Sequence, residues 1–162
     1  MYSRNTDVRL PSRRQPASHL QSLDWHGSII FVTASALVRR DYFCTAEVAA
    51  VFHRVWSDPS RWRVGEYVIM PDHVHLFARP CCPGEYGLRD WITWWKRAIA
   101  REFGIPVWQP SVWDVRMRSA EQYAEKREYV RKNPFRAGLV RIPDEWPYRG
   151  KIHDLVWRGL SQ

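Results

Sequence analysis

An α+β fold of the ferredoxin-like, split β-α-β kind is predicted from three observations. Apolar runs and stretches with apolar residues at helical spacing alternate along the chain as strand, helix, strand, strand, helix, strand. The two middle strands are joined by the turn signal Pro71-Asp72, too short for anything but an antiparallel return. A further helix then follows, outside the basic pattern and carrying a tyrosine. The expectation is a four-stranded antiparallel sheet with helices on one face, plus the extra C-terminal helix.

Ser28-Ile29-Ile30-Phe31-Val32-Thr33 is a continuous apolar run and reads as a buried strand. Val48, Val51, Phe52, Val55 and Trp56 recur at helical spacing within residues 46–57 and predict an amphipathic helix. A second strand runs roughly from Trp62 to Met70 and turns through Pro71-Asp72 into a third, His73 to Arg79. The loop Pro80 to Gly87 opens a helix with Leu88, Trp91, Ile92, Trp95 and Ile99 on one side. Pro106 and Pro110 punctuate the next segment, and Val112 to Arg118 predicts a fourth strand. Ser119 with Gln122 three residues on is a capping-box pattern that starts the last helix. It runs to about Lys132, and Pro134 ends it.

Charge and composition narrow the function classes. The 162 residues hold 25 Lys and Arg against 17 Asp and Glu, a formal charge of +8. That balance favours a polyanionic partner, nucleic acid before an acidic membrane surface. Many of the ten tryptophans neighbour Arg or Lys, a pairing suited to unpaired bases, although most must serve the core. Three cysteines without a C-x-x-C pair fit a reducing cytoplasm. No apolar run approaches the ~20 residues of a membrane span, and the N-terminus lacks the apolar segment of an export signal. Residues 1–24 are polar, bear Arg4, Arg9, Arg13 and Arg14, and read as a basic, partly disordered arm before one domain, 25–162.

Two clusters of residues carry chemistry. His73 and His75 alternate along one strand and so project from the same face, where two imidazoles can share a divalent ion. In the last helix Tyr129 and Asn133 are four residues apart and share a face, with Gln122 and Lys126 on the same side. The Asn133 amide oxygen suits a hard ion such as Mg2+ or Mn2+ as a third ligand. Tyr129 sits on a polar stripe, where a phenol can act as nucleophile toward a metal-polarised phosphodiester.

Met70-Pro71-Asp72-His73-Val74-His75-Leu76 resembles the His-hydrophobe-His motif of single-strand DNA transposases of the insertion-sequence-200 type. Trp108-Gln109-Pro110 through Trp113-Asp114, then Arg118, then the run from Tyr129-Val130-Arg131-Lys132-Asn133-Pro134-Phe135-Arg136 to Val140, resembles their REP-associated tyrosine transposase branch. The match extends from about Ser28 to Trp146. This resemblance implies an HUH-type, metal-dependent transesterase that binds hairpins of REP-like palindromes and cleaves and rejoins single-stranded DNA. It implies His73 and His75 as metal ligands, Asn133 at the place of the family's helix-borne amide ligand, and Tyr129 as the nucleophile that forms a 5′-phosphotyrosine. It also implies a monomer rather than a homodimer, and no membrane. Two positions depart from the family: Val115 follows Asp114 where the branch commonly has His, and Met70 stands where related transposases often have an acid.

Several basic positions are candidates for DNA. Asp114, Arg116 and Arg118 share one strand face opposite Trp113, Val115 and Met117, either to hold phosphates or to form an exposed ion-paired face. Lys96 interrupts the apolar stripe of its helix, as a phosphate contact or as a snorkelling side chain. Lys126 and Arg136 flank the tyrosine in sequence and complete the set. Arg149, Lys151 and Arg158 add sequence-independent attraction. The competing function is a domesticated hairpin-binding protein that no longer cleaves. A histidine-triad hydrolase would need a third alternating histidine, and position 77 is Phe77.

Overall fold

A computed structural model of the chain describes residues 28–38, 41–82, 84–104 and 107–158. The basic arm expected over 1–24 lies outside the described residues. The element order is β1 (Ile30–Ala36), α1 (Ala46–Trp56), β2 (Trp62–Ile69), β3 (His73–Pro80), α2 (Leu88–Phe103), β4 (Trp108–Arg116), α3 (Ala120–Arg131), α4 (Asn133–Arg136), a 3-10 turn at Pro143–Glu145, and β5 (Arg149–Lys151). The strands form one sheet in the order β4-β1-β3-β2-β5, with every pairing antiparallel. The first four are the predicted split β-α-β sheet, and β3 with its histidines lies in the middle.

Strand alternation assigns the two faces. Ile30, Val32 and Ala34 of β1 and Val74, Leu76 and Ala78 of β3 pack under α1 and α2 in the larger core. That core holds Trp56, Trp62, Trp91, Trp95 and Trp108, and Trp146 is also buried, so six of the ten tryptophans are structural. Ile29, Phe31 and Phe77 point the other way, into a smaller core closed by Tyr123 and Val130 of α3 and by Trp146. The tyrosine-bearing helix therefore covers the face opposite α1 and α2.

Three expectations are corrected. The sheet has five strands, because Arg149–Lys151 pairs with Glu66, Tyr67 and Val68 of β2; three polar residues around a glycine carry no strand signal of their own. The fourth strand begins at Trp108 and runs through Pro110 without a break. It is an edge strand, where a residue lacking an N–H can face outward and forfeit no ladder bond. The first strand is shifted to Ile30–Ala36, so beyond Thr33, which pairs with His75, it adds Ala34 and Ser35, which pair with Val74 and His73.

At the start of α3 the Ser119 cap forms as expected, while the Gln122 side chain reaches back one residue beyond the cap. Ser119 Oγ accepts from the Gln122 N–H at 3.0 Å, and Gln122 Oε1 accepts from the Arg118 N–H at 2.7 Å. At the other end Lys132 caps α3, and Pro134 sits in the first turn of α4, where its missing N–H costs nothing. Gly138, with φ +71°, then stops the chain from continuing as helix after Arg136.

Candidate functional site

The inner stripe of α3 builds the site. Tyr123 and Val130 are its buried residues, and Lys126 and Asn133 fall on the same stripe at helical spacing. Tyr123 meets Phe77 edge-on at 5.2 Å, which seats the helix on the sheet. Asn133, three residues beyond Val130, is thereby carried to β3, where its amide nitrogen lies 2.9 Å from His75 Nε2.

The two imidazoles converge through their Nε2 atoms, which stand 3.2 Å apart. Metal–imidazole bonds of about 2.1 Å place adjacent ligand nitrogens about 3.0 to 3.4 Å apart in octahedral or tetrahedral shells. Each outer nitrogen is held from behind. His73 Nδ1 donates to Asp72 Oδ1 at 2.7 Å, and His75 Nδ1 is 2.8 Å from Thr33 Oγ1. A carboxylate only accepts, so the His73 proton belongs on Nδ1 and its Nε2 presents a lone pair. With the His75 proton directed at Thr33, its Nε2 does the same. Burial, then the neighbouring His73 and Lys126, push the His75 imidazolium down to about 3, so this ring is neutral at physiological pH. Two converging lone pairs are unfavourable alone and suit a cation. Rotating the Asn133 amide, whose O and N are assigned by hydrogen bonding, offers that cation an oxygen. The residues present thus fit a small divalent ion with two nitrogens and one oxygen. Among the described residues no cluster of three His, Cys, Asp or Glu side chains offers another metal site.

Tyr129 stands one turn before Asn133, with its ring nearly half exposed. The Lys126 ammonium lies 5.2 Å from the centre of that ring and 5.2 Å from that of Phe31, which itself stacks on His75 at 5.5 Å. The Arg136 guanidinium covers the Tyr129 ring at 4.7 Å. Neither cation has a carboxylate partner among the described residues, so both are available to a polyanion.

The structure brings together His73, His75, Asn133, Tyr129, Lys126 and Arg136. It does not bring in the other expected DNA residues. Asp114 and Arg116 pair with Val32 and Ile30, so they point to the α1–α2 face, away from the histidines. Burial raises the Asp114 carboxyl above its ordinary range, and Arg89 opposes this. Arg118 lies beyond the strand and is exposed. The Lys96 ammonium donates to the Gln109 carbonyl at 2.5 Å and tethers α2 to β4; the snorkelling reading therefore describes it, and it serves the fold rather than the site. Thr33 and Asp72 are functional residues that sequence reasoning missed. Asp72 adjoins the motif and drew notice only as a turn former, whereas Thr33 is 42 residues from its histidine and could be found only through strand pairing.

Comparison with known proteins agrees with the motifs. No family model matches the chain. A REP-associated tyrosine transposase from Escherichia coli (strain K12) is 26% identical over 142 residues, covering 83% of this chain and 82% of the relative. A putative REP-associated tyrosine transposase from Haemophilus influenzae (strain ATCC 51907 / DSM 11121 / KW20 / Rd) is 30% identical over 116 residues, 56% of this chain and 64% of the relative. The solved structure of a REP-associated tyrosine transposase bound to a REP hairpin shares the fold, with a TM-score of 0.68 at 20% identity over 82% of this chain and 86% of that one. The resemblance read from the motifs is borne out: the chain is similar to REP-associated tyrosine transposases in sequence and in fold. No described helix is long and apolar enough to cross a membrane.

Proposed function

We propose that this chain, a homologue of REP-associated tyrosine transposases, is an HUH-type DNA transesterase that binds hairpins and cleaves and rejoins single-stranded DNA through Tyr129. One observation carries the reading: the His73 and His75 Nε2 atoms converge at 3.2 Å beside the Asn133 amide, one helical turn from an exposed tyrosine whose ring meets the Lys126 and Arg136 cations. His73, His75 and Asn133 would hold Mg2+ or Mn2+, which when bound polarises the phosphodiester. Asp72 and Thr33 fix the imidazole tautomers and ring orientations. Lys126 and Arg136 bring the phosphate to the tyrosine by charge and hold it there.

The chemical step is a balanced exchange of esters. The Tyr129 oxygen forms a bond to phosphorus, the bond from phosphorus to the 3′ oxygen breaks, and the phenolic proton ends on the departing 3′-hydroxyl. A 5′-phosphotyrosine remains, and attack by another 3′-hydroxyl reverses the step and joins strands without an external energy source. The similarity to the hairpin-bound relative supports REP-like hairpins as substrate, and the REP-associated resemblance a monomeric enzyme. One observation favours the non-cleaving binder: Val115, where the family commonly has His, faces the site side and packs with Phe31 and Phe77.

A denaturing gel with end-labelled hairpin oligonucleotides separates the two. A covalent protein–DNA band is expected with Mn2+ and absent with EDTA. It should also be absent in Tyr129→Phe, which retains hairpin binding within a few-fold. Hairpin retention on a native gel with no adduct in the unaltered protein would establish the binder instead.

A further inference from the structure

Trp113 differs from the other tryptophans described. Trp56, Trp62, Trp91, Trp95, Trp108 and Trp146 are buried. Trp94 lies under the Arg61 guanidinium, and Trp157 packs against the smaller core. Trp113 is 37% exposed, belongs to neither core, and has no hydrogen bond or ring partner among the described residues. A large ring left uncovered on a strand forgoes the burial that drove its neighbours inward.

Its position is set by the sheet register. Trp113 pairs with Thr33, and Thr33 pairs with His75 and bonds its Nδ1. Directly paired residues project from the same face, so Trp113, Thr33 and His75 form one row across β4, β1 and β3. Two strand spacings put Trp113 roughly 10 Å from His75. That lies within reach of a nucleotide adjoining a phosphate held at the histidines. The same face carries Lys126 over Phe31, next along β1, and Arg136 beyond it over Tyr129, both without carboxylate partners among the described residues. A flat aromatic face beside two cations and the converging imidazoles is complementary to single-stranded nucleic acid, whose bases offer a π-face whatever their identity.

We infer that Trp113 is a base-stacking residue, and that the unpaired base adjoining the scissile phosphate rests on its indole. The inference rests on the transesterase reading for the identity of the phosphate, and it names the next contact along the strand. In paired DNA that base is occupied by its own stack, so Trp113 would favour a cleavage point in the single-stranded segment beside a hairpin over one within the stem.

The test uses the full chain in EDTA, so that binding is read apart from cleavage. Hairpin oligonucleotides with a single-stranded flank carry one abasic site, moved one position at a time along the flank. For the unaltered protein one position should weaken binding by about tenfold, the scale of a lost base stack. Trp113→Ala should bind the intact oligonucleotide about tenfold more weakly, lose nothing further at that position, and keep its dependence on the hairpin stem. Trp113→Phe should recover most of the affinity. Equal binding by Trp113→Ala and the unaltered protein would overturn the inference. So would a Trp113→Ala variant that still responds to the same abasic position. A parallel adduct assay with Mn2+ keeps the two claims apart. Adduct formation with no role for Trp113 sinks only the stacking, and position-dependent stacking without adduct sinks only the transesterase.

Discussion

The two sides of α3 carry the same kinds of side chain in opposite states. On the outer side Arg127 pairs with Glu66, Arg131 with Glu128 and Asp144, and Lys132 with Glu128. Arg149 and Lys151 of β5 extend that network to Asp144 and Asp154, around a cleft of about 590 Å³. On the inner side Lys126 and Arg136 lie over aromatic rings and meet no carboxylate among the described residues. Exposed ion pairs contribute little to stability, but they do consume charge that a phosphate would otherwise use. The larger cleft is therefore close to neutral in effect, and the smaller cationic patch beside the histidines is the one suited to DNA. Counting basic residues does not locate a nucleic-acid surface; the acids they meet must be counted too.

Substitutions on the two sides of α3 should differ most in metal binding. His75→Ala should reduce Mn2+ affinity beyond detection in a calorimetric titration, whereas Glu66→Gln on the outer side should leave it unchanged. Thr33→Val, which removes the hydroxyl behind His75, should weaken Mn2+ binding by roughly 10 to 100-fold in the same titration. An effect of Glu66→Gln as large as that of Thr33→Val would place the metal on the wrong side of α3.

A smaller contrast concerns DNA. Lys126→Ala should weaken hairpin binding and lower the slope of log K against log salt by about one, because one phosphate contact is lost. Arg127→Ala, one residue away, should change neither by more than about twofold and should cost about 0.5 kcal/mol of stability through the pair with Glu66. Binding measured across a salt series would show whether adjacent cations differ as their partners require.

Acid sensitivity is a further prediction for the inner side. A histidine in the unfolded chain takes up its proton near pH 6.5. His75 in the folded chain does so only near 3, because burial opposes the charge. The folded pKa is depressed, so the unfolded state binds more protons in between. The stability due to neutral His75 is complete above pH 6.5 and is lost as pH falls toward 3, by up to about 1.4 kcal/mol per pH unit. Denaturant unfolding in EDTA at pH 7 and pH 5 should show that loss, and His75→Asn should flatten it.

Much of this was legible in the chain. Apolar periodicity fixed the order of the first six elements, and alternation placed His73 and His75 on one face of a central strand. Helical spacing put Tyr129, Asn133 and Lys126 on one side of the last helix, while the burial of Tyr123 and Val130 that carries Asn133 to His75 shows only in the packed structure. What was not legible depends on pairing between distant segments. Asp114 and Arg116 do share one face of the strand, whereas Arg118 lies beyond its end, and only the register with Val32 and Ile30 shows that Asp114 and Arg116 turn from the site. Pro110 read as a breaker because its tolerance depends on β4 being an edge, a property of the whole sheet. β5 and the Thr33 support were hidden for the same reason.

The transesterase reading stands or falls with Tyr129 as the residue that carries the DNA. Digesting the covalent adduct with trypsin and nuclease and sequencing the modified peptide by mass spectrometry identifies the attached residue. A nucleotide phosphate is expected on Tyr129, within the peptide Glu128-Tyr129-Val130-Arg131. A nucleotide on another tyrosine, such as Tyr123 or Tyr148, would contradict it.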